Sequence, residues 1–241
     1  MSSLPPEGAN LPWGGPAEDC PTRKHAASPA ALSVLYADDA LLVLDKPAGL
    51  LSVPGLGADK QDCLSVRVQR QYPDALIVHR LDMATSGVML LARGVVAQRH
   101  LNQAFADRCV SKRYIAIVDG QLTAPSEDWG VISLPIRVDW PNRPLRIVDH
   151  DKGKISVTRW RLLSCNKTEG TSRLELEPVT GRSHQLRVHL QALGHTILGD
   201  ALYGSPRTRA MASRLMLHAS SIELSHPLTG ETMRFASSAS F

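Results

Sequence analysis

The sequence has few cysteines and no long apolar run, and each shortage excludes a class of protein. The 241 residues include only four cysteines, which are far apart and form no CxxC pair: Cys20, Cys63, Cys109 and Cys165. This spacing argues against a disulfide framework or a zinc site and indicates a reducing compartment. No apolar run approaches the roughly 18 residues that a membrane span needs, and no leader pattern marks the chain for export. We therefore expect a cytoplasmic protein that contacts no membrane.

The chain contains far fewer lysines than arginines, and its formal net charge is +4. Of the 27 basic residues, 20 are arginine and 7 are lysine. Arginine makes bidentate contacts with phosphate and stacks on bases, so this choice is compatible with a nucleic-acid partner. A plain usage bias toward arginine explains the composition equally well.

The chain divides near residue 32. Residues 1–31 contain six prolines and three glycines, which predict an extended or disordered lead. From there on, helical spacing predicts helices over 95–108 and 183–193. Short apolar runs and strict alternation predict strands at 41–44, 76–78, 88–92, 114–118, 155–162, 173–177, 222–224 and 233–235. This mixture predicts one α+β domain over 32–241, with a mixed, largely antiparallel sheet and flanking helices and loops.

One polar connection between two apolar runs, at 78–88, contains the carboxylate of Asp82. A basic side chain, Arg80, lies two residues before it, and Thr85, Ser86 and Gly87 follow it. Loops between strands are where a rigid scaffold usually holds reactive groups. The same residue types also make an ordinary hairpin turn. Spacing alone favours the turn, so the rest of the chain has to decide.

A second group of polar residues opens the predicted helix over 183–193. Arg182 stands at its start, where the helix dipole disfavours a cation, and this makes it a functional candidate. His184 and His189 are five residues apart, so about 140° separates them around a helix and they cannot easily share a metal. The sequence leaves open whether Arg187 and Gln185 are structural or contact a phosphate.

A tyrosine at the start of a predicted strand forms the third group. Tyr114 follows two cations, Lys112 and Arg113, and is one of only four tyrosines in the chain. An aromatic ring beside basic residues is a plausible platform for base stacking. Tyrosine is also common in strands as a packing residue, so both interpretations remain open at this point.

Taken together, these groups resemble the motifs of the RluA family of RNA pseudouridine synthases. The match is to HRLDxxTSG at 79–87, KxYxA at 112–116 and GRxHQLRxH at 181–189. The resemblance continues through three further segments, at 42–49, 194–204 and 214–219. In total it spans about residues 35–236. It implies the pseudouridine synthase fold and a reaction that needs neither cofactor nor metal.

The resemblance also implies a role for individual residues. Asp82 would be the essential aspartate, and Arg182 the guanidinium that supports its ionised form. Tyr114 would stack on the flipped uracil, Leu217 would close the pocket on the opposite side, and Arg80 would occupy the gap that the flipped base leaves.

Two details resemble the dual-substrate members of the family: Met83-Ala84 in the first motif and the segment 139–144, DWPNRP. They imply that the RNA partners are a tRNA anticodon stem-loop, at uridine 32, and 23S ribosomal RNA. The S4 RNA-binding domain of many relatives is expected to be absent. We expect a monomer with no obligatory protein partner.

Three alternatives remain. The same chemistry could be restricted to one RNA class, or the fold could serve a non-catalytic RNA-binding protein, although Asp82 and its neighbours are intact. A metal-dependent nuclease built on Asp82, His184 and His189 is disfavoured by the histidine spacing and by the lack of clustered acidic residues.

Overall fold

The computed structural model of the protein describes residues 32–241, and the lead predicted at 1–31 lies outside the described residues. Within that range, four α-helices flank a set of β-strands. The helices are α1 (Leu64–Gln69), α2 (Gly94–Ala106), α3 (Gln185–Ala192) and α4 (Pro206–Ala210). The strands are β1 (Val34–Ala37), β2 (Leu41–Lys46), β3 (Ala75–Ile77), β4 (Ser86–Arg93), β5 (Ser111–Asp119), β6 (Gly130–Ser133), β7 (Ile136–Val138), β8 (Arg146–Val148), β9 (Val157–Asn166), β10 (Thr171–Pro178), β11 (Leu217–Ser225) and β12 (Thr232–Ala236).

Ten of these strands form one sheet, in the order β1-β2-β4-β11-β5-β10-β9-β6, with β3 paired to β4 and β12 to β11. Every pairing in it is antiparallel except the contact between β4 and β11, which is parallel. The predicted α+β class with a mixed, largely antiparallel sheet is therefore confirmed.

Strands β2 and β4 each contain a continuous apolar run because both of their faces are buried. On β2, Leu41 and Val43 belong to the core under α2, while Leu42 and Leu44 belong to the core under α1. Strand β4 alternates in the same way. A strand covered on both faces reads as a continuous apolar run rather than as an alternating one.

The other half of the sheet is covered by α3. Leu186 and Leu190 of this helix pack with Ala116 of β5 and with Leu174 and Leu176 of β10. This packing fixes the start of α3 close to the connection between β3 and β4, where Asp82 lies. No helix among the described residues is long and apolar enough to cross a membrane.

Several short elements were not predicted. They include α1, α4, β1 and β6, and the separate two-stranded sheet of β7 and β8. Strands of three or four residues and helices of five or six are too short to show a clear period, so pattern analysis easily misses them. The β7–β8 pair lies beside α3 and bears on the function discussed below.

The parallel contact between β4 and β11 requires a glycine. Gly87 has a φ of +114° and pairs with Ala219, and a Cβ on Gly87 would lie 2.2 Å from the Ala219 carbonyl oxygen. The third position of the TSG triplet is therefore fixed by backbone packing as well as by conformation.

We expect Gly87→Ala to lower the free energy of unfolding by about 3 kcal/mol, because left-handed strain and overpacking add. Gly230→Ala is the matched control, since Gly230 also has a positive φ, of 76°, but its Cβ would meet no atom within 4 Å. The control should cost about 1 kcal/mol. Urea denaturation of both variants measures the difference, and equal losses would show that packing against Ala219 contributes nothing.

Candidate active site

A pocket of about 320 Å³ opens between the β3–β4 connection, β5, β11 and the start of α3. All five site residues predicted from the sequence line it: Arg80, Asp82, Tyr114, Arg182 and Leu217. The fold thus brings together side chains that are up to 137 positions apart in the chain (217 − 80). The roles given to these residues remain predictions at this stage.

The backbone on one side of Asp82 is held by a serine from a distant loop. The Ser52 hydroxyl donates to the Leu81 carbonyl oxygen at 2.7 Å and accepts from the Leu81 amide at 3.1 Å. Leu81 itself is buried against the core between β2 and α1. Both polar groups of the residue before Asp82 are therefore paired, which fixes the direction in which the carboxylate points.

A buried lysine holds the other side of the loop. The Lys46 ammonium donates to the Met83 carbonyl oxygen at 3.2 Å, and the same oxygen accepts from the Gly49 amide at 2.8 Å. Lys46 also donates to two carbonyls of its own loop, those of Pro47 and Leu50. Burial lowers the pKa of Lys46 to about 8, and the negative charge of Asp82 opposes this shift.

The turn that the sequence favoured is present inside the site. The Thr85 amide donates to the Asp82 carbonyl oxygen at 3.1 Å, and Thr85 and Ser86 are buried behind it. Arg80 precedes this turn and its side chain is exposed. The turn and the functional interpretation are thus compatible, because the turn presents Asp82 on the pocket wall.

The Asp82 carboxylate contacts an arginine that lies in the first turn of α3. Nη1 of Arg187 donates to Oδ2 of Asp82 at 3.3 Å. The rest of the same guanidinium forms a bidentate pair with Asp200, with Nε and Nη2 at 2.8 and 2.6 Å from its two carboxylate oxygens. The Arg187 side chain is 4% exposed and that of Asp200 is 0% exposed, whereas Asp82 keeps 30% of its side chain open to the pocket.

The prediction that Arg182 supplies this guanidinium does not match the geometry. Arg182 lines the pocket but is exposed, and the structure gives it no ion pair with Asp82 among residues 32–241. The helix was expected to start at residue 183, but it begins at Gln185 because His184 takes the left-handed conformation with a φ of 57°. Arg182 therefore lies in the loop before α3, while Arg187 is directed inward.

Gln185, whose role the sequence left open, is a structural residue. Its side-chain oxygen accepts from the Arg182 amide at 3.0 Å and from the Thr180 hydroxyl at 2.7 Å. Its side-chain amide donates to the Val157 carbonyl and the Thr158 hydroxyl, both at 3.0 Å. Gln185 is buried and thereby ties the start of α3 to β9.

His184 lies beside the carboxylate without acting as its counter-charge. Its Nε2 is 3.8 Å from Oδ2 of Asp82, and its Nδ1 is 2.7 Å from the Tyr203 hydroxyl. Burial lowers the pKa of His184, and the negative charge of Asp82 opposes this shift without cancelling it, so the ring is neutral at pH 7. Arg187 packs over the Tyr203 ring at 5.0 Å, which completes the wall around the guanidinium.

His189 lies away from the pocket and is fully bonded. Its two ring nitrogens pair with the Thr158 hydroxyl at 2.9 Å and the Leu134 carbonyl at 3.1 Å. No ring nitrogen of His189 is left for a metal. Among the described residues, no group of three His, Cys, Asp or Glu side chains is arranged to hold a metal ion.

The opposite wall of the pocket is aromatic and apolar. Tyr114 projects from β5, and Leu217 lies beside it at the start of β11, where Leu217 pairs with Ala116. Burial raises the pKa of Tyr114, and the negative charge of Asp82 raises it further, so the phenol is protonated at neutral pH. Lys112 lines the same wall, and burial lowers the pKa of its ammonium.

This arrangement can accept a flat ring between Tyr114 and Leu217. It also places the Asp82 carboxylate next to a group attached to that ring. The exposed Arg80 and Arg182 at the mouth can contact a polyanion outside the pocket. Sequence analysis did not identify Lys46, Asp200 and Ser52, which hold the Asp82 loop and Arg187 in place. Lys46 and Asp200 lay within the resembling segments 42–49 and 194–204, but nothing in their spacing indicated what they touch.

Comparisons with known proteins agree with this geometry. Residues 40–192 match the family model of RNA pseudouridylate synthases. The chain is 48% identical over 210 residues to the dual-specificity RNA pseudouridine synthase RluA of Escherichia coli strain K12, which covers 87% of this chain and 94% of that protein. It is also 48% identical over 208 residues to the protein of the same name from Yersinia pestis, covering 86% and 99% of the two chains.

Solved structures give the same result. Human RNA pseudouridylate synthase domain containing 1 superposes with a TM-score of 0.71 at 29% identity, over 86% of this chain and 83% of that one. Human RNA pseudouridylate synthase domain containing 4 superposes with a TM-score of 0.66 at 26% identity, over 86% and 88% of the two chains. The sequence match, the shared fold and a pocket that gathers all three motifs lead to one conclusion: this chain belongs to the RluA family of RNA pseudouridine synthases and is an isomerase.

Proposed function

We propose that this enzyme converts uridine to pseudouridine in two kinds of RNA, the anticodon stem-loop of tRNA and 23S ribosomal RNA. The support is the near-half identity to relatives named dual-specificity synthases over almost their whole length. Met83-Ala84 and the segment 139–144 support it as well. We also propose that residues 32–241 are the catalytic domain and that the enzyme works as a cytoplasmic monomer without a metal or cofactor.

One observation carries the assignment of the catalytic residue, namely the contact of Asp82 with a guanidinium that Asp200 holds from behind. Burial disfavours an ionised carboxylate, and a fixed positive charge at hydrogen-bond distance restores it. Of Asp82 and Asp200, only Asp82 lines the pocket. We assign the catalytic role to Asp82 and the positioning role to Arg187.

The reaction breaks the N1–C1′ bond of the uridine, turns the detached uracil, and joins C5 to C1′. The proton on C5 then leaves and N1 takes up a proton, so the product is an isomer of the substrate. Asp82 acts at the ribose, either by adding to the nucleoside or by abstracting a ribose proton. Both routes need an ionised carboxylate in a fixed position, which the loop anchored by Ser52 and Lys46 provides.

The target base is stacked in RNA and must be extruded before Asp82 can reach its sugar. Arg80 lies on the loop of Asp82, is exposed, and can enter the position that the base leaves. The ring of Tyr114 offers a stacking surface for the extruded uracil, and Leu217 closes the other side of the pocket. Arg182, at the mouth of the pocket, is assigned to contact with the RNA backbone.

We expect wild-type protein to form pseudouridine in transcripts of both a tRNA and a 23S ribosomal RNA fragment. Asp82→Asn should abolish the product in both, because the amide carries no charge, while RNA affinity stays within about threefold. Mass spectrometry of the digested RNA detects the product, and filter binding measures affinity. Substantial turnover by purified Asp82→Asn would overturn the assignment.

Arg187 and Arg182 should have different kinetic effects. Arg187→Lys keeps the charge but loses the fork that joins Asp82 to Asp200, so we expect kcat to fall about 100-fold through misplacement of the carboxylate. Arg182→Met should mainly raise KM, because this side chain is exposed and contacts RNA only outside the pocket. Steady-state kinetics separate the two. A large loss of kcat in Arg182→Met with a normal kcat in Arg187→Lys would restore Arg182 as the partner of Asp82.

A further inference from the structure

A second cavity, which we call the basic groove, adjoins the active-site pocket. Its volume is about 520 Å³, and Arg182 and Ser183 line both it and the pocket. The other lining residues come from the β7–β8 pair and the segment that follows it: Ile136, Arg137, Val138, Trp140, Arg146, Lys152 and Lys154. A ligand that leaves the pocket past Arg182 therefore enters this groove.

The groove carries a concentrated positive charge. Five of its nine lining residues are basic, and none is acidic. Only Arg137 among them has a carboxylate partner in the described part of the chain, through an ion pair with Asp149. Lys152 and Lys154 are exposed. Such an uncompensated row of cations is suited to a phosphate backbone.

An exposed aromatic ring lies in the same groove. Trp140 leaves 63% of its surface open to solvent, which is unusual for so large an apolar side chain. The Arg143 guanidinium packs over the ring at 4.6 Å. An aromatic ring and a guanidinium plane beside a row of cations form the combination that single-stranded nucleic acid uses for stacking and backbone contact.

The backbone under the groove is fixed rather than loose. The Tyr203 hydroxyl accepts from the Arg146 amide at 2.9 Å, and the same hydroxyl contacts His184 in the active site. Strands β7 and β8 pair over three residues, from Ile136 and Val148 to Val138 and Arg146. The groove and the catalytic pocket are thus parts of one connected wall.

We propose that the basic groove binds the RNA strand next to the target uridine, with phosphates on Lys152, Lys154 and Arg146 and an unpaired base on Trp140. This inference rests on the proposed function, because it takes the occupant of the pocket to be an extruded uridine. It also gives a role to the segment 139–144, which the catalytic mechanism does not use. An acidic peptide could match the charge, but the stacking ring and the continuity with the pocket favour RNA.

The test uses full-length protein and a fluorescein-labelled RNA hairpin that copies a tRNA anticodon arm. Fluorescence anisotropy gives Kd at several salt concentrations, and single-turnover reactions at saturating RNA give the rate. Trp140→Ala should raise Kd about tenfold, Trp140→Phe should restore most of the affinity, and the saturated rate should not change. Lys152→Ala should reduce the slope of log Kd against log salt by about one.

The matched control is Lys167→Ala, an exposed lysine in the turn between β9 and β10. It makes the same change of charge away from the groove and should leave Kd and the salt slope unchanged. Wild-type affinity in both Trp140→Ala and Lys152→Ala would overturn the proposal that the groove binds RNA. An equal loss of affinity in the control would overturn it as well. Tight binding of a polyglutamate peptide that weakens in Lys152→Ala would also overturn it in favour of a protein partner.

The two proposals fail in distinguishable ways. If wild-type protein binds the hairpin but forms no pseudouridine in it, the proposed substrate is wrong, while the anisotropy series still decides whether the groove binds RNA. If wild-type protein forms pseudouridine in the hairpin and the groove variants bind the hairpin with wild-type affinity, only the proposal for the groove is wrong.

Discussion

The site depends on one buried arginine that two carboxylates share. Arg187 forms a bidentate pair with Asp200 and reaches Asp82 with its remaining nitrogen. The charged groups of Arg187 and Asp200 are withdrawn from water, so removing Arg187 would leave Asp200 as an uncompensated buried charge at a cost of about 3–5 kcal/mol. Helix α3, the loop after it and the connection between β3 and β4 therefore have to meet at this point.

The rest of the fold brings these segments to that point and keeps them there. The core between α3 and the β5–β10 half of the sheet sets the position of Arg187. Ser52 and Lys46 fix the backbone on either side of Asp82 through three hydrogen bonds to Leu81 and Met83. A carboxylate held in this way needs little rearrangement when the substrate arrives, which is what electrostatic preorganisation requires.

Much of this could be predicted from the sequence, and the failures have a physical cause. The long strands were found from their apolar runs or strict alternation and α2 from its helical spacing, and the motif residues of the pocket were found through family resemblance. The family resemblance assigned the partner of Asp82 to Arg182, and this offered a reason why an arginine stands at the start of a helix predicted from residue 183. The left-handed backbone at His184 shifts the start to Gln185 and turns the next arginine inward, and such a conformation at a non-glycine residue leaves no mark in a sequence.

The central claim is that Asp200 positions the Asp82 carboxylate, to which we assign the catalytic role, through Arg187 and without touching the substrate. The most direct measurement is the single-turnover rate of Asp200→Asn at saturating RNA, with circular dichroism confirming that the variant is folded. The account predicts a fall of at least about tenfold in rate with RNA affinity unchanged, because a loosened Arg187 no longer holds Asp82 in place. A wild-type rate in the folded variant would contradict it.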